Sequence, residues 1–273
     1  MSDNRKHFET NRMLWDEYVR LHHDEKYYPV DDFLKGEDQL KEIEIAEVGD
    51  VRGKQLLHLQ CHFGLDSLSW ARDHGAIVTG VDFSLKAIQA AQMLADELKL
   101  DARFIQSNVL ELPEELHKKF DVVFTSYGVL TWLPELKTWG QQIAKCLKPG
   151  GFVYVCDEHP TGRMMDDETE ELRLRYPYFK EAEPMRFDGT GSYATPEGVM
   201  QNMESVEWAF TIGEVIGSLI AAGLSIEFFN EHDHICWKMF PRLVQGEDGW
   251  WRMPVGEKPL PLLFSLKARK VRL

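Results

Sequence analysis

The chain has few cysteines and no Cys-x-x-Cys pair. Cys61, Cys146, Cys156 and Cys236 are scattered along 273 residues, which excludes the disulfide framework of a small secreted domain and leads us to expect reduced thiols. No uninterrupted apolar run approaches the roughly 18 residues that mark a membrane-spanning helix. The first ten residues, Met1 to Thr10, carry charge where a signal peptide would be apolar, so the expected location is cytoplasmic, with no membrane partner. Basic residues are also scarce: 31 Lys and Arg stand against 45 Asp and Glu, a net charge of −14. That sign is wrong for a surface that neutralises phosphates, and nucleic acid is not an expected partner. Repeats and low-complexity linkers are missing too, so nothing marks a domain boundary and the whole of 1–273 is read as one domain.

What is present is a change of pattern along the chain. Residues 1–50 read as a helical cap, with apolar positions at helical spacing from Phe8 to His22 behind a Thr10-Asn11 start signal, and a second helix over Asp38 to Glu47. Between them, Tyr27-Tyr28-Pro29-Val30-Asp31-Asp32-Phe33 reads as an ordered loop. Over 51–160, short apolar runs alternate with helical segments, the pattern of βαβ units. The runs are 56–59, 77–81, 103–105, 122–124 and 152–155, and the helices are 65–74, 84–99 and 134–147, the last stopped by Lys148-Pro149-Gly150-Gly151. The stretch 161–210 is acidic, aromatic and punctuated by proline, and reads as an insertion or lid. Residues 211–273 open with Thr211-Ile-Gly-Glu214, which has capping-box spacing, and add strands at 224–229 and 262–268 that close the sheet as an antiparallel hairpin. The fold class is therefore α/β, a doubly wound and mostly parallel seven-stranded sheet with an antiparallel C-terminal strand.

Ligands of such sheets bind beyond the carboxyl ends of the strands. The first strand runs into Gln60-Cys61-His62-Phe63-Gly64, and the second ends in Asp82-Phe83-Ser84, where a carboxylate is placed to accept hydrogen bonds from the vicinal hydroxyls of a ribose. The plainer reading of Asp82 is a helix N-terminal residue held by the dipole.

In these segments the chain resembles the class I S-adenosylmethionine-dependent methyltransferases, whose first-strand signature has the form acidic-x-Gly-x-Gly-x-Gly and here reads His58-Leu-Gln60-Cys-His62-Phe-Gly64. The likeness continues through Val78 to Ser84, Asn108 to Pro113, Phe120 to Leu130 and Leu147 to Gly151. The resemblance implies a Rossmann-like fold, S-adenosylmethionine as cofactor and a small-molecule acceptor. It implies that Asp82 binds the ribose, Phe83 packs on the adenine, and Asn108 with its neighbour Val109 meets the adenine edge. Gln60, Cys61, His62, Gly64 and Ser126 would line the methionine end. No Asn/Asp-Pro-Pro-aromatic tetrapeptide follows the fourth strand, and Ser126-Tyr127-Gly128-Val129 is closer to the small-molecule branches.

Two glycines of that signature are Gln60 and His62 here. Non-glycine residues with φ > 0 cost roughly 1–2 kcal/mol, so either the loop takes another path, or cofactor affinity is weakened, or the Gln60 amide and His62 imidazole contact the methionine carboxylate directly, the last being the reading we favour. With His58 in the acidic position, the partner of the methionine ammonium is left open. Proton acceptors for the transfer are sought in Asp157-Glu158-His159, with His159 as the catalytic candidate, and in Glu231-His232-Asp233-His234, where no spaced motif supports a metal. Tyr27, Tyr28, Tyr127, Trp132, Tyr193 and Trp208 are candidates for lining the pocket. A nicotinamide-dependent oxidoreductase, lacking an intact GxGxxG, and a non-catalytic binder of the adenosyl cofactor or its product are the alternatives. The oligomeric state is open, a homodimer through Trp208 and Trp250-Trp251 being one arrangement.

Overall fold

A computed structural model describes residues 2–22, 28–188 and 201–272 of the chain. The first element, α1 (Ser2–His22), begins well before Phe8. The Thr10-Asn11 start signal does not act as a cap because both side chains find other partners. Thr10 Oγ1 donates back to the Lys6 carbonyl, and Asn11 reaches across to Val206. The aromatic segment expected to be a loop contains a short helix, α2 (Val30–Leu34), started by Pro29, whose fixed φ suits a helix entry. Its Phe33 is buried under the Arg72 guanidinium. The next helix, α3 (Glu42–Val48), starts four residues later than expected.

The alternating segment forms β1 (Gln55–Leu59), α4 (Leu65–Arg72), β2 (Ile77–Asp82), α5 (Leu85–Glu97), β3 (Ala102–Gln106), β4 (Phe120–Ser126), α6 (Leu136–Cys146) and β5 (Leu147–Glu158). The short α7 (Pro160–Arg163) leads into a two-stranded pair, β6 (Met185–Asp188) and β7 (Glu204–Glu207). Helix α8 (Ile212–Ala221) has the expected capping box, with Glu214 N–H donating to Thr211 Oγ1 at 3.0 Å and Thr211 N–H to Glu214 Oε2 at 2.9 Å. Strand β8 (Leu224–His232) follows. The long connection holds β9 (His234–Ile235), β10 (Val244–Gln245) and β11 (Trp251–Arg252) before the closing β12 (Leu263–Lys270).

The main sheet has the order β3-β2-β1-β4-β5-β12-β8, and only β12 runs antiparallel to its neighbours. The order reverses between β1 and β4, which is where a ligand of this architecture binds. Alternation of side chains across the strands builds two cores. One packs Leu56, Phe124, Tyr154 and Cys156 against Leu68, Trp70 and Ala91. The other packs Leu57, Val123, Val153 and Val155 against Trp139, Ile143 and Val215. Helices α6 and α8 cross closely: a Cβ on Gly140 would lie 2.7 Å from the Ser218 carbonyl oxygen.

The cap and the insertion are clasped together. Asn11 Nδ2 donates to the Val206 carbonyl at 2.7 Å, and Val206 N–H donates to Asn11 Oδ1 at 2.8 Å, so one side chain imitates a strand partner. Trp208 is buried against His7 and Phe8 of α1. Among the described residues no helix is long and apolar enough to cross a membrane, and the four cysteines are free thiols. Tyr27 and Tyr193 lie outside the described residues.

Candidate active site

A cavity of about 830 Å³ opens at the β1/β4 switch point, within the size range of small-molecule sites. Its floor is the turn after β1. Gln60 and His62 have φ of 55° and 49°, so the turn follows the left-handed path that glycine favours, without glycine. Two contacts hold it there. Gln60 Nε2 donates to the Val129 carbonyl at 2.9 Å. The His62 ring stacks on Tyr28, with planes 3° apart, and meets the edge of Trp15 from α1. One Gln60 N–H is thus committed, while its Oε1 is buried without a hydrogen-bond partner among the described residues. Gly64, at φ 84°, starts α4 without a capping side chain, which leaves first-turn N–H groups for an anion. A Cβ at this position would press on Phe104 at 2.9 Å.

Asp82, buried at the end of β2, closes the turn from the other side. One oxygen accepts from His62 N–H at 2.9 Å and the other from Ser84 N–H at 2.9 Å. Burial pushes its pKa up to about 6 against the pull of these amides. A carboxylate has about four lone-pair sites, so acceptor capacity remains after both amides are served. Phe83 and Ser126 complete this half of the wall, with Cys61 beneath. Asn108 and Val109 are not part of the lining. Asn108 Oδ1 accepts from Leu110 N–H in a local turn, and Val109 is buried in the second core. His58 is buried, shares a hydrogen bond with Ser67 Oγ at 2.8 Å, and has its pKa pushed down to about 3 by desolvation. It is therefore neutral at pH 7.

The far half is aromatic and acidic. Trp132, Tyr176, Phe187 and Trp237 line it together with Met165 and Met239. Arg163 is gripped by two carboxylates, Glu158 at 2.5 Å and Glu207 at 2.6 Å. Burial raises the Glu158 pKa to about 7 even though Arg163 opposes the shift. The three successive candidates after β5 have separate fates. Asp157 accepts from the backbone N–H groups of Gly128, Val129 and Leu130 and so holds the turn after β4. Glu158 faces the cavity. His159 does not line it: its Nδ1 accepts from Thr161 N–H at 3.1 Å, and its Nε2 lies 3.0 Å from Glu231. In the second acidic-histidine cluster, His232 meets Ser265 and His234 packs on Trp250. Among the described residues no three His, Cys, Asp or Glu side chains are grouped to hold a metal.

Sequence reasoning left out Trp15, Lys41, Asp66, Arg163 and Glu207, all of which line the cavity. Only Asp66 carried a local signal, standing two residues after Gly64.

Residues 57–153 match a family described as "Methyltransferase domain". The ubiquinone biosynthesis O-methyltransferase of Alkalilimnicola ehrlichii is 34% identical over 106 residues, which is 39% of this chain and 42% of that protein. The protein of the same name from Salmonella typhimurium is 30% identical over 115 residues, 42% of this chain and 47% of its own length. The match thus spans less than half the length of these curated relatives. Among solved structures, an S-adenosylmethionine-dependent methyltransferase from Mesorhizobium loti has a TM-score of 0.58 at 19% identity, over 86% of this chain and 99% of that one. The [4+2]-cyclase SpnF has a TM-score of 0.53 at 18% identity, over 86% of this chain and 80% of that one. A methyltransferase and a cyclase on one architecture mean that the fold alone does not name a reaction.

Proposed function

We propose that this chain, whose residues 57–153 match a methyltransferase-domain family, is a class I S-adenosylmethionine-dependent methyltransferase that transfers a methyl group to a hydroxyl of an aromatic small molecule. The observation that carries the cofactor half is Asp82 fixed across the turn after β1, beside a cavity at the switch point. The donor set suits the cofactor. Asp82 accepts from ribose hydroxyls, Phe83 offers a face to the adenine, and the first turn of α4 offers N–H groups to the methionine carboxylate. The orphaned Gln60 Oε1 fits a ligand that brings a donor.

When bound, the cofactor supplies a methyl on a cationic sulfur, and the carbon–sulfur bond breaks with its electron pair returning to sulfur as the acceptor oxygen bonds to carbon. The chain's task is then to position the acceptor and remove its proton. Glu158 takes that proton in our reading, with His159 committed to the α7 cap. A carboxylate with a pKa near 7 is matched to a base working at neutral pH. Arg163 holds Glu158 in place, and Trp132, Trp237 and Phe187 give an aromatic acceptor its apolar walls. The curated relatives named O-methyltransferases support a proton-bearing oxygen as the acceptor atom.

Thermal unfolding with S-adenosylmethionine, S-adenosylhomocysteine and NAD in parallel tests this. A ligand at about 100 times its Kd adds roughly 2.7 kcal/mol. We expect both adenosyl ligands to raise the Tm of the wild type and neither to raise that of Asp82→Ala. A shift with NAD alone would replace the reading with an oxidoreductase.

A further inference from the structure

Building on that cofactor reading, we propose that Asp66 is the counter-charge of the cofactor's α-ammonium, with Gln60 Oε1 as the second acceptor. An ammonium entering a walled cavity gives up water and needs a carboxylate or several acceptors in exchange.

The carboxylates that line the cavity do not compete equally. Asp82 is tied at both oxygens to backbone amides, and Glu158 and Glu207 share Arg163. Asp167 accepts from the Tyr176 hydroxyl at 2.8 Å and lies 3.6 Å from Arg175. Among the described residues Asp66 has a single hydrogen-bond partner, the Ser126 hydroxyl, which donates to Oδ2 at 3.2 Å, and it makes no ion pair. Lys41 lines the same cavity and its charge is felt at Asp66, yet the two form no salt bridge.

Position argues the same way. Asp66 sits in the first turn of α4, Ser126 ends β4, and Gln60 follows β1, so the three converge where the strand order reverses. One of the two Gln60 amide N–H groups is given to Val129, and among the described residues its buried carbonyl oxygen is idle. An –NH3+ group has three donors and no acceptor. The Asp66 carboxylate and the Gln60 carbonyl oxygen supply acceptors at this spot, which is the complement it requires. His58 at the neighbouring strand position is neutral and engaged with Ser67, so it supplies no negative charge. This arrangement differs from the direct carboxylate contact expected of Gln60 and His62: one Gln60 N–H is given to Val129, its carbonyl oxygen is the idle group, and the imidazole is packed between Tyr28 and Trp15.

The test is a binding cycle by titration calorimetry on the full chain. The ligands are S-adenosylhomocysteine and its deamino analogue, which lacks only the α-amine, and the proteins are wild type and Asp66→Asn. The wild type should prefer the amine-bearing ligand by about tenfold or more, the worth of one charged hydrogen-bonded pair. Asp66→Asn should lose that preference while holding the deamino analogue within about twofold of the wild type. Gln60→Met gives a second, smaller loss in the same direction, should Asp66→Asn not fold. An unchanged preference in folded Asp66→Asn, or equal weakening of both ligands, would overturn the assignment. Failure of the wild type to bind either ligand would instead overturn the cofactor reading on which it rests.

Discussion

At the scale of single residues, several side chains stand on backbone in the left-handed region that favours glycine. Among the described residues five non-glycine residues have positive φ: Gln60, His62, Lys99, Lys118 and Tyr127. Gln60 and His62 have contacts that hold them in that region, through Val129 and through the Trp15–Tyr28 pair. Lys99, exposed just past the end of α5 at φ 57°, has no side-chain partner among the described residues, so its strain is uncompensated. Lys99→Gly should therefore stabilise the protein by about 1 kcal/mol, seen as a rise of a few degrees in Tm. The residue scale is also where the sequence was least legible. Along β5, Phe152, Tyr154 and Cys156 enter one core while Val153 and Val155 enter the other. Continuing that alternation separates Asp157 from Glu158, but which face leads to the ligand is set by strands and loops far away in the chain. That is why His159 read as the candidate although Glu158 lines the cavity.

At the scale of elements, the alternation of apolar runs and helical spacing carried the five parallel strands, the helices between them and the closing hairpin, because periods of 2 and 3.6 are properties of short windows. The Thr211–Glu214 cap was equally local. What escaped was the start of α1 and the helix at Val30–Leu34. Asn11 reads as a start signal until Val206, 195 residues away, is placed against it. Helix packing yields a prediction of its own. The α6–α8 crossing depends on Gly140, whose missing Cβ makes room for the Ser218 carbonyl at 2.7 Å. Gly140→Ala should lower stability by about 1–3 kcal/mol despite the better helix propensity of alanine, a sign that urea unfolding decides.

At the scale of the whole molecule, buried carboxylates set a pH dependence. Burial raises Asp82 to about 6 and Glu158 to about 7. Such groups hold protons in the folded state that the unfolded chain has already released. Their stabilising contribution is complete below the ordinary carboxylate range and is lost as pH rises through 6 and 7. His58, lowered to about 3, acts in the opposite sense, contributing above 6.5 and losing that contribution in acid. Above pH 6.5 the Glu158 effect therefore stands apart from that of His58. We expect the stability of the wild type relative to Glu158→Gln to fall by on the order of 1–3 kcal/mol between pH 5 and pH 8, followed by denaturant titration at each pH. A flat difference would mean that Glu158 is ionised throughout.

The pairing of Asn11 with Val206 has a consequence outside the molecule. Among the described residues strand β7 belongs to a sheet of two strands, so one side of it has no strand partner there. Such an edge offers N–H and C=O groups to any extended segment, including the same strand of another copy. On Val206 both groups are already taken by a helical side chain, which cannot itself be extended by a further strand. At Val206, therefore, the amide that fastens the cap also occupies the backbone groups that a further strand would need.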